Sequence, residues 1–206
     1  MAARRAGALR WLAYLALSLP LAVLLWGFAQ HQLGANPIRE ATLRMGKMAL
    51  VLLVLTLVAT PAYQLLGWRA LVWLRRALGL FVCFYAGAHL GVIVGLDYRF
   101  DLALLQLDVL DKRYALLGLA SFLLLLPLAL TSTAGWQQRL GWRWTALHRL
   151  IYLAALLDVG HYLWLVKADT REPLMYGAIV VLLLILRLPI LRQALGARRS
   201  RPTGAR

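Results

Sequence analysis

Cysteine occurs once in the 206 residues, at Cys83, and acidic side chains only eight times. A single cysteine excludes an intrachain disulfide and any zinc site built on cysteines. Charged residues make up 15% of the chain, where a globular domain carries about 25%. No Gly-rich phosphate fingerprint is present and no nucleotide-binding fold can be accommodated, because the hydrophobic runs leave only short loops. What fills the chain instead is apolar: 62% hydrophobic residues, with a mean hydropathy of +0.71. That excess rules out a soluble globular domain and a disordered one.

Six runs reach the roughly 20 apolar residues that a bilayer-spanning helix needs: 9–28, 45–66, 77–96, 114–130, 144–166 and 174–191. Leu, Ala and Val dominate them without strand-like alternation, so they are expected to be helices. Pro20, Pro61, Pro127 and Pro189 fall inside or at the ends of these runs and are read as tolerated kinks. The first run follows Arg4 and Arg5 like a signal peptide, yet is too long and lacks a small-residue cleavage site; it is read as retained. The expected architecture is all-α: one integral membrane domain over 1–206, a bundle of six transmembrane helices, ending in a basic cytoplasmic tail at 193–206.

Excess positive charge explains itself once the loops are sorted by side. With the N-terminus inside, 15 of the 23 Lys and Arg residues lie inside and 8 outside, so both termini are expected in the cytoplasm. Seven acidic residues also fall outside, which leaves the formal charge of +15 concentrated on the inner face. The basic character is thus a topological signature, and nucleic acid is not an expected partner. The longest outer loop, 97–113, intersperses leucines with aspartates and is expected to form a short amphipathic helix at the interface.

Four histidines remain to be placed. His31 lies just past the first run and reads as a solvated loop residue. His89, His148 and His161 lie within runs, where ionisable residues are functional candidates. At about 1.5 Å per residue, His89 stands roughly 10–12 Å and His161 roughly 9 Å below the outer boundary, on different helices. Two imidazoles at one depth can clamp a metal macrocycle such as haem b, which needs two axial ligands and an apolar slot. No C-x-x-C-H stretch exists, so covalent attachment is excluded. His148 precedes His161 by 13 residues, about 20 Å along the axis and some 140° around it. It shares a face with His161 only if the helix deforms, for which Gly160 is the candidate. Its role is read as a second haem ligand or a quinone or flavin contact near the inner face. Thirteen residues before His89 stands Arg76, suited to a propionate or phosphate rather than to iron. Asp158, the one acid inside a run, is placed to accept from His161, to handle protons or to pair with an arginine. Interhelical hydrogen bonding by the histidines is the structural alternative. No internal repeat is evident, although runs three and five echo each other around histidine.

Arg75-Arg76-Ala77-Leu78-Gly79-Leu80 with Tyr85 and His89-Leu90, Lys112-Arg113-Tyr114, Thr131-Ser132, and Leu140-Gly141 through Trp144, Leu147-His148-Arg149-Leu150 and Tyr152 to His161-Tyr162 and Trp164 form an ordered set. This set resembles the MsrQ (formerly YedZ) family of the ferric-reductase-like transmembrane superfamily, from about Trp11 to Leu191. The resemblance implies a bacterial inner-membrane haem b protein. Such a protein passes electrons from the quinone pool to MsrP, a periplasmic molybdopterin enzyme that reduces methionine sulfoxide in proteins. It would be the electron-transfer subunit, not the catalytic one. The resemblance makes His89 and His161 haem ligands and His148 a third histidine tied to haem or electron entry. It adds FMN, for which the inner arginines Arg75, Arg76, Arg143 and Arg149 are the expected contacts. Arg76 departs from the two-haem pattern of the superfamily. Two rivals are a ferric or cupric reductase fed by a separate cytoplasmic flavin reductase, and a non-redox transporter or structural bundle.

Overall fold

The computed structural model describes residues 2–187, and side chains from residue 7 onward. The expected tail at 193–206, Pro189 and the end of the sixth run lie outside the described residues. Among the described residues no strand occurs. Nine α-helices follow one another within them: α1 (Ala2–Ala29), α2 (Pro37–Leu66), α3 (Ala70–Val92), α4 (Leu102–Asp111), α5 (Arg113–Leu130), α6 (Ala134–Leu140), α7 (Trp142–His148), α8 (Leu150–Leu165) and α9 (Arg171–Ile185).

Among the described residues, four helical stretches are long and apolar enough to cross a membrane: Gly7–Ala29, Pro37–Leu66, Ala70–Asp97 and Arg113–Leu130. The third includes a π-helical turn, Ile93–Asp97, that continues α3. The chain is thus an all-helical integral membrane protein. Large exposed side chains such as Leu12, Leu19, Leu25, Leu65 and Leu123 suit a lipid-facing surface.

Helix boundaries follow local chemistry. Asn36 caps α2 by accepting from the Arg39 amide at 2.9 Å, with Pro37 in the first turn. Gly67, at φ 70°, closes α2 in the left-handed region where only glycine is free of strain. Asp101 caps α4, accepting from the Leu104 amide at 3.0 Å. Arg99 and Phe100 both take positive φ in the sharp turn before it. The Asp108 carboxylate on α4 accepts from both Tyr98 and Lys112, fastening the short helix to its own flanks.

The run expected at 144–166 is not one helix. It breaks at Arg149, whose amide bonds to the Ala146 carbonyl at 3.2 Å, a tightened i→i+3 turn between α7 and α8. The deformation therefore falls beside His148 and not at Gly160, which instead makes room for Leu117.

Two antiparallel pairs dominate the packing, α2 with α3 and α5 with α8. Small residues let the second pair close: Ala154 and Ala155 are fully buried, and the buried Ser121 hydroxyl donates to the Ala154 carbonyl at 3.0 Å. Leu53, Leu57, Val82, Tyr85 and Val180 fill the centre. The Tyr85 hydroxyl donates to the Leu17 carbonyl at 2.8 Å and accepts from the Leu21 amide at 3.2 Å. It is thereby inserted into the hydrogen-bond ladder of α1 beside Pro20, an identifiable cause of a helix bend.

Candidate functional site

His89 on α3 and His161 on α8 face each other with ring centroids 6.3 Å apart and planes at 81°. Each ring is held the same way. His89 Nδ1 donates to the Thr42 carbonyl at 2.8 Å, and His161 Nδ1 donates to the Tyr114 carbonyl at 2.7 Å. A carbonyl can only accept, so Nδ1 carries the proton in both rings. Nε2 is then left as a lone-pair donor for a metal. Fixing one imidazole nitrogen to a carbonyl so as to orient the other is the usual arrangement of metal-bound histidine.

A glycine seats each ring. A Cβ on Gly46 would lie 3.1 Å from His89 Nδ1, and a Cβ on Gly118 would lie 2.9 Å from His161 Nδ1. One turn separates each glycine from the carbonyl its histidine uses, Thr42 before Gly46 and Tyr114 before Gly118. Both cradles share one register: each histidine follows its carbonyl by 47 residues. The second set follows the first by 72 residues at all three positions (114−42 = 118−46 = 161−89). The pairs α2–α3 and α5–α8 are therefore two copies of one arrangement.

The separation suits a shared metal. With metal–nitrogen bonds of about 2.0–2.1 Å and each ring centre roughly 1.1 Å behind its Nε2, two imidazoles on opposite sides of one ion would stand roughly 6.3 Å apart, centre to centre. The observed 6.3 Å meets that value. Among the described residues there is no group of three or more His, Cys, Asp and Glu side chains able to hold a metal ion, so a bare zinc site is disfavoured. A macrocycle that brings its own equatorial nitrogens needs only these two ligands.

Asp158 does not take the orienting role weighed for it, since the Tyr114 carbonyl occupies His161 Nδ1. Beside the pair, the Glu172 carboxylate binds Lys47 Nζ at 2.6 Å and accepts from the Tyr162 hydroxyl at 2.9 Å. Lys47 follows Gly46 and Tyr162 follows His161, so this network ties the starts of the two cradles to α9.

His148 is differently placed. Its ring stacks on Trp144 at 4.0 Å, and Nε2 lies 3.2 Å from the Thr131 hydroxyl. That hydroxyl donates to the Pro127 carbonyl at 2.6 Å, so it accepts from His148 Nε2. Trp144 in turn donates Nε1–H to the Thr131 carbonyl at 2.9 Å. His148 lines a cavity of about 900 Å³ with Arg10, Arg69, Arg75 and Arg76. Arg76 and His148 are again 72 residues apart, so the repeat that matches histidine with histidine at one end matches arginine with histidine at the other. Arg143 and Arg149 are exposed and do not line this cavity. The glycines and the two carbonyls escape a reading of the sequence, for which the constant 72-residue step was the available signal; Thr131 enters it only through the family resemblance.

Comparison with known proteins agrees on one family. The family model described as "Ferric reductase like transmembrane component" matches residues 45–159, taking in Gly46, His89, Gly118 and His148. A protein of Rhodospirillum rubrum is 46% identical over 173 residues, 83% of either chain. One of Caulobacter vibrioides is 45% identical over 177 residues, covering 85% of this chain and 84% of its own. A third, of Xanthomonas axonopodis pv. citri, is 43% identical over 194 residues, covering 90% and 89%. All three carry the name protein-methionine-sulfoxide reductase heme-binding subunit MsrQ. No solved structure matches the chain.

Proposed function

Because the chain belongs to the MsrQ family of ferric-reductase-like transmembrane proteins, we propose that it is a haem b electron-transfer subunit of a methionine-sulfoxide reductase system in a bacterial inner membrane. The observation that carries this reading is the His89–His161 pair, with rings 6.3 Å apart and both Nδ1 atoms committed to backbone carbonyls. Haem b bound between them supplies one-electron redox chemistry. The protein's part is to present two neutral Nε2 atoms, to hold the rings against Gly46 and Gly118, and to keep the surroundings apolar.

In this reading both termini are cytoplasmic. α7 and α8 together make the fifth crossing, and α9 begins the sixth. The histidine pair then lies toward the outer face and the arginine-lined cavity toward the inner one. Electrons enter from a membrane quinol and leave to a periplasmic molybdopterin partner of the MsrP type, which carries the catalytic site. His148, Arg75 and Arg76 serve the entry side, binding a second haem, FMN or a quinone; Arg149, outside the cavity wall, has no contact there.

His89→Ala and His161→Ala should each abolish incorporation of the haem, read by the Soret band and a pyridine haemochrome assay. Normal haem content in either variant would sink the assignment. A cytoplasmic flavin reductase as donor is the second reading, favoured by the positive lining of the inner cavity. Quinol and NADPH-driven flavin reduction, tested side by side, separate the two. A colourless protein from haem-replete cells would return the bundle to the transporter or structural class.

A further inference from the structure

Facing histidines require that α2–α3 and α5–α8 keep one register. The bonds that brace each hairpin stay within it: His89 to Thr42 in the first, His161 to Tyr114 and Ser121 to Ala154 in the second. Helix α9 touches both hairpins. It packs on α2 and on α8, with Pro173 and Val180 fully buried. Gly177 is set against α8, where a Cβ would lie 3.2 Å from Val159 Cγ1.

Both ends of α9 carry polar grips. In its first turn, Glu172 holds Lys47 of α2 at 2.6 Å and the Tyr162 hydroxyl of α8 at 2.9 Å. Two residues past its end, Arg187 Nη2 donates to the Leu57 carbonyl of α2 at 2.5 Å, and the guanidinium lies 4.9 Å over the Tyr152 ring of α8. The same two helices are thus held twice. The grips are in step: Leu57 follows Lys47 by ten residues and Tyr162 follows Tyr152 by ten, about 15 Å along either axis.

The Leu57 carbonyl needs an outside donor. In a regular helix it would accept from the amide four residues on, but that residue is Pro61, which has no N–H. A backbone group freed inside a membrane is met by a neighbouring helix. Arg187 meets it, and the face of Tyr152 attracts the guanidinium charge. The ion pair at the other end is partly exposed and weak when taken alone. Its use lies in position: Lys47 follows Gly46, which seats His89, and Tyr162 follows His161.

We propose that Glu172 and Arg187 are positioning residues for the histidine pair, and that α9 is a two-ended strap fixing α2 against α8 at the separation a shared metal needs. They act through α2 and α8 rather than by contact with either ring. Either grip alone keeps α9 seated; loss of both frees the hairpins to slide. The inference rests on the haem reading for what the pair binds, and not for the strap itself.

The test is a double-mutant cycle on the purified full chain, read by haem affinity at the Soret band. Glu172→Ala and Arg187→Gln each leave one grip in place and should weaken haem binding by about twofold to fivefold. The two sites stand about 22 Å apart along α9, so unlinked effects would multiply. The double variant should instead lose at least about threefold more affinity than the product of the single losses. A smaller excess overturns the proposal. Adding Pro61→Ala to the double variant returns an amide to the Leu57 carbonyl without restoring the strap. Thermal stability should recover and haem affinity should not; affinity that recovers with stability overturns the proposal. This triple variant completes the cycle if the double variant does not fold. Amide exchange across α9 in the haem-free chain should show the same excess opening. A wild-type chain that binds no haem yet shows that excess would sink the haem reading and leave the strap. Normal haem binding with losses that simply multiply would do the reverse.

Discussion

A single methyl group at Gly118 should uncouple haem binding from folding. In Gly118→Ala the new Cβ would lie 2.9 Å from His161 Nδ1, 3.0 Å from Cε1 and 3.2 Å from Cγ. Comfortable contact begins near 3.5 Å, so the ring must retreat by roughly half an ångström. Retreat stretches the 2.7 Å bond to the Tyr114 carbonyl and carries Nε2 out of line with His89. Overpacking of this kind costs about 1–3 kcal/mol, equivalent to about a 5- to 150-fold loss of affinity for a ligand that needs the native ring position. Alanine is meanwhile favoured over glycine within a helix by about 0.8–1.0 kcal/mol. The apo-protein, free to swing the ring aside, should therefore keep its stability. Haem titration followed at the Soret band, with thermal unfolding of the apo-protein, measures both quantities. Gly46→Ala, whose nearest contact is 3.1 Å, should show the same loss in weaker form. Gly87→Ala is the control, since its Cβ meets only Phe122 at 3.6 Å. Gly118→Ala with wild-type haem affinity, or with a loss no greater than Gly87→Ala, would refute the cradle.

Ser121→Ala removes the bond to the Ala154 carbonyl and should cost about 0.6 kcal/mol, and at most about 1.7, in a denaturation series, since interhelical bonds in membranes average that little. Tyr85→Phe should release α1 while sparing the α2–α3 pair, seen as faster hydrogen exchange near Leu17–Leu21 without loss of haem. The short helix α4 has a defined pH window. Hydrogen bonds from Lys112 and then Tyr98 hold the Asp108 carboxyl below the usual aspartate value of 3.8, while Asp108 raises the Lys112 ammonium above 10.5. The depressed acid stabilises above its unfolded value and is lost as pH falls through the folded one; the raised base is lost only as pH climbs through its own. Amide protection across Leu102–Asp111 should therefore stay flat from about pH 5 to 9 and fall below about pH 4. Asp108→Asn should lose that protection at neutral pH.

Composition and hydrophobic run length were enough to read an all-helical membrane chain, because burying about 20 apolar residues per segment leaves few other solutions. Helix rise alone brought His89 and His161 to one depth. What escaped were contacts made by atoms common to every residue. The Thr42 and Tyr114 carbonyls carry no side-chain signature, and Gly46 and Gly118 resemble the other small residues of helix interfaces. The break at Arg149 was hidden for a similar reason: no Pro or Gly marks it, and the chain there stays in helical conformation. Nor does the sequence show that the Arg187 guanidinium turns inward over Tyr152.

The constant 72-residue step also has a consequence for biogenesis. Neither hairpin holds a complete clamp: α2–α3 carries His89 with its glycine and carbonyl, and α5–α8 carries the matching set around His161. A pair of imidazoles at 6.3 Å exists only once the two hairpins have met in register. A metal macrocycle that needs both imidazoles would lock in only chains whose halves have docked, and would pass over those whose halves remain apart in the bilayer.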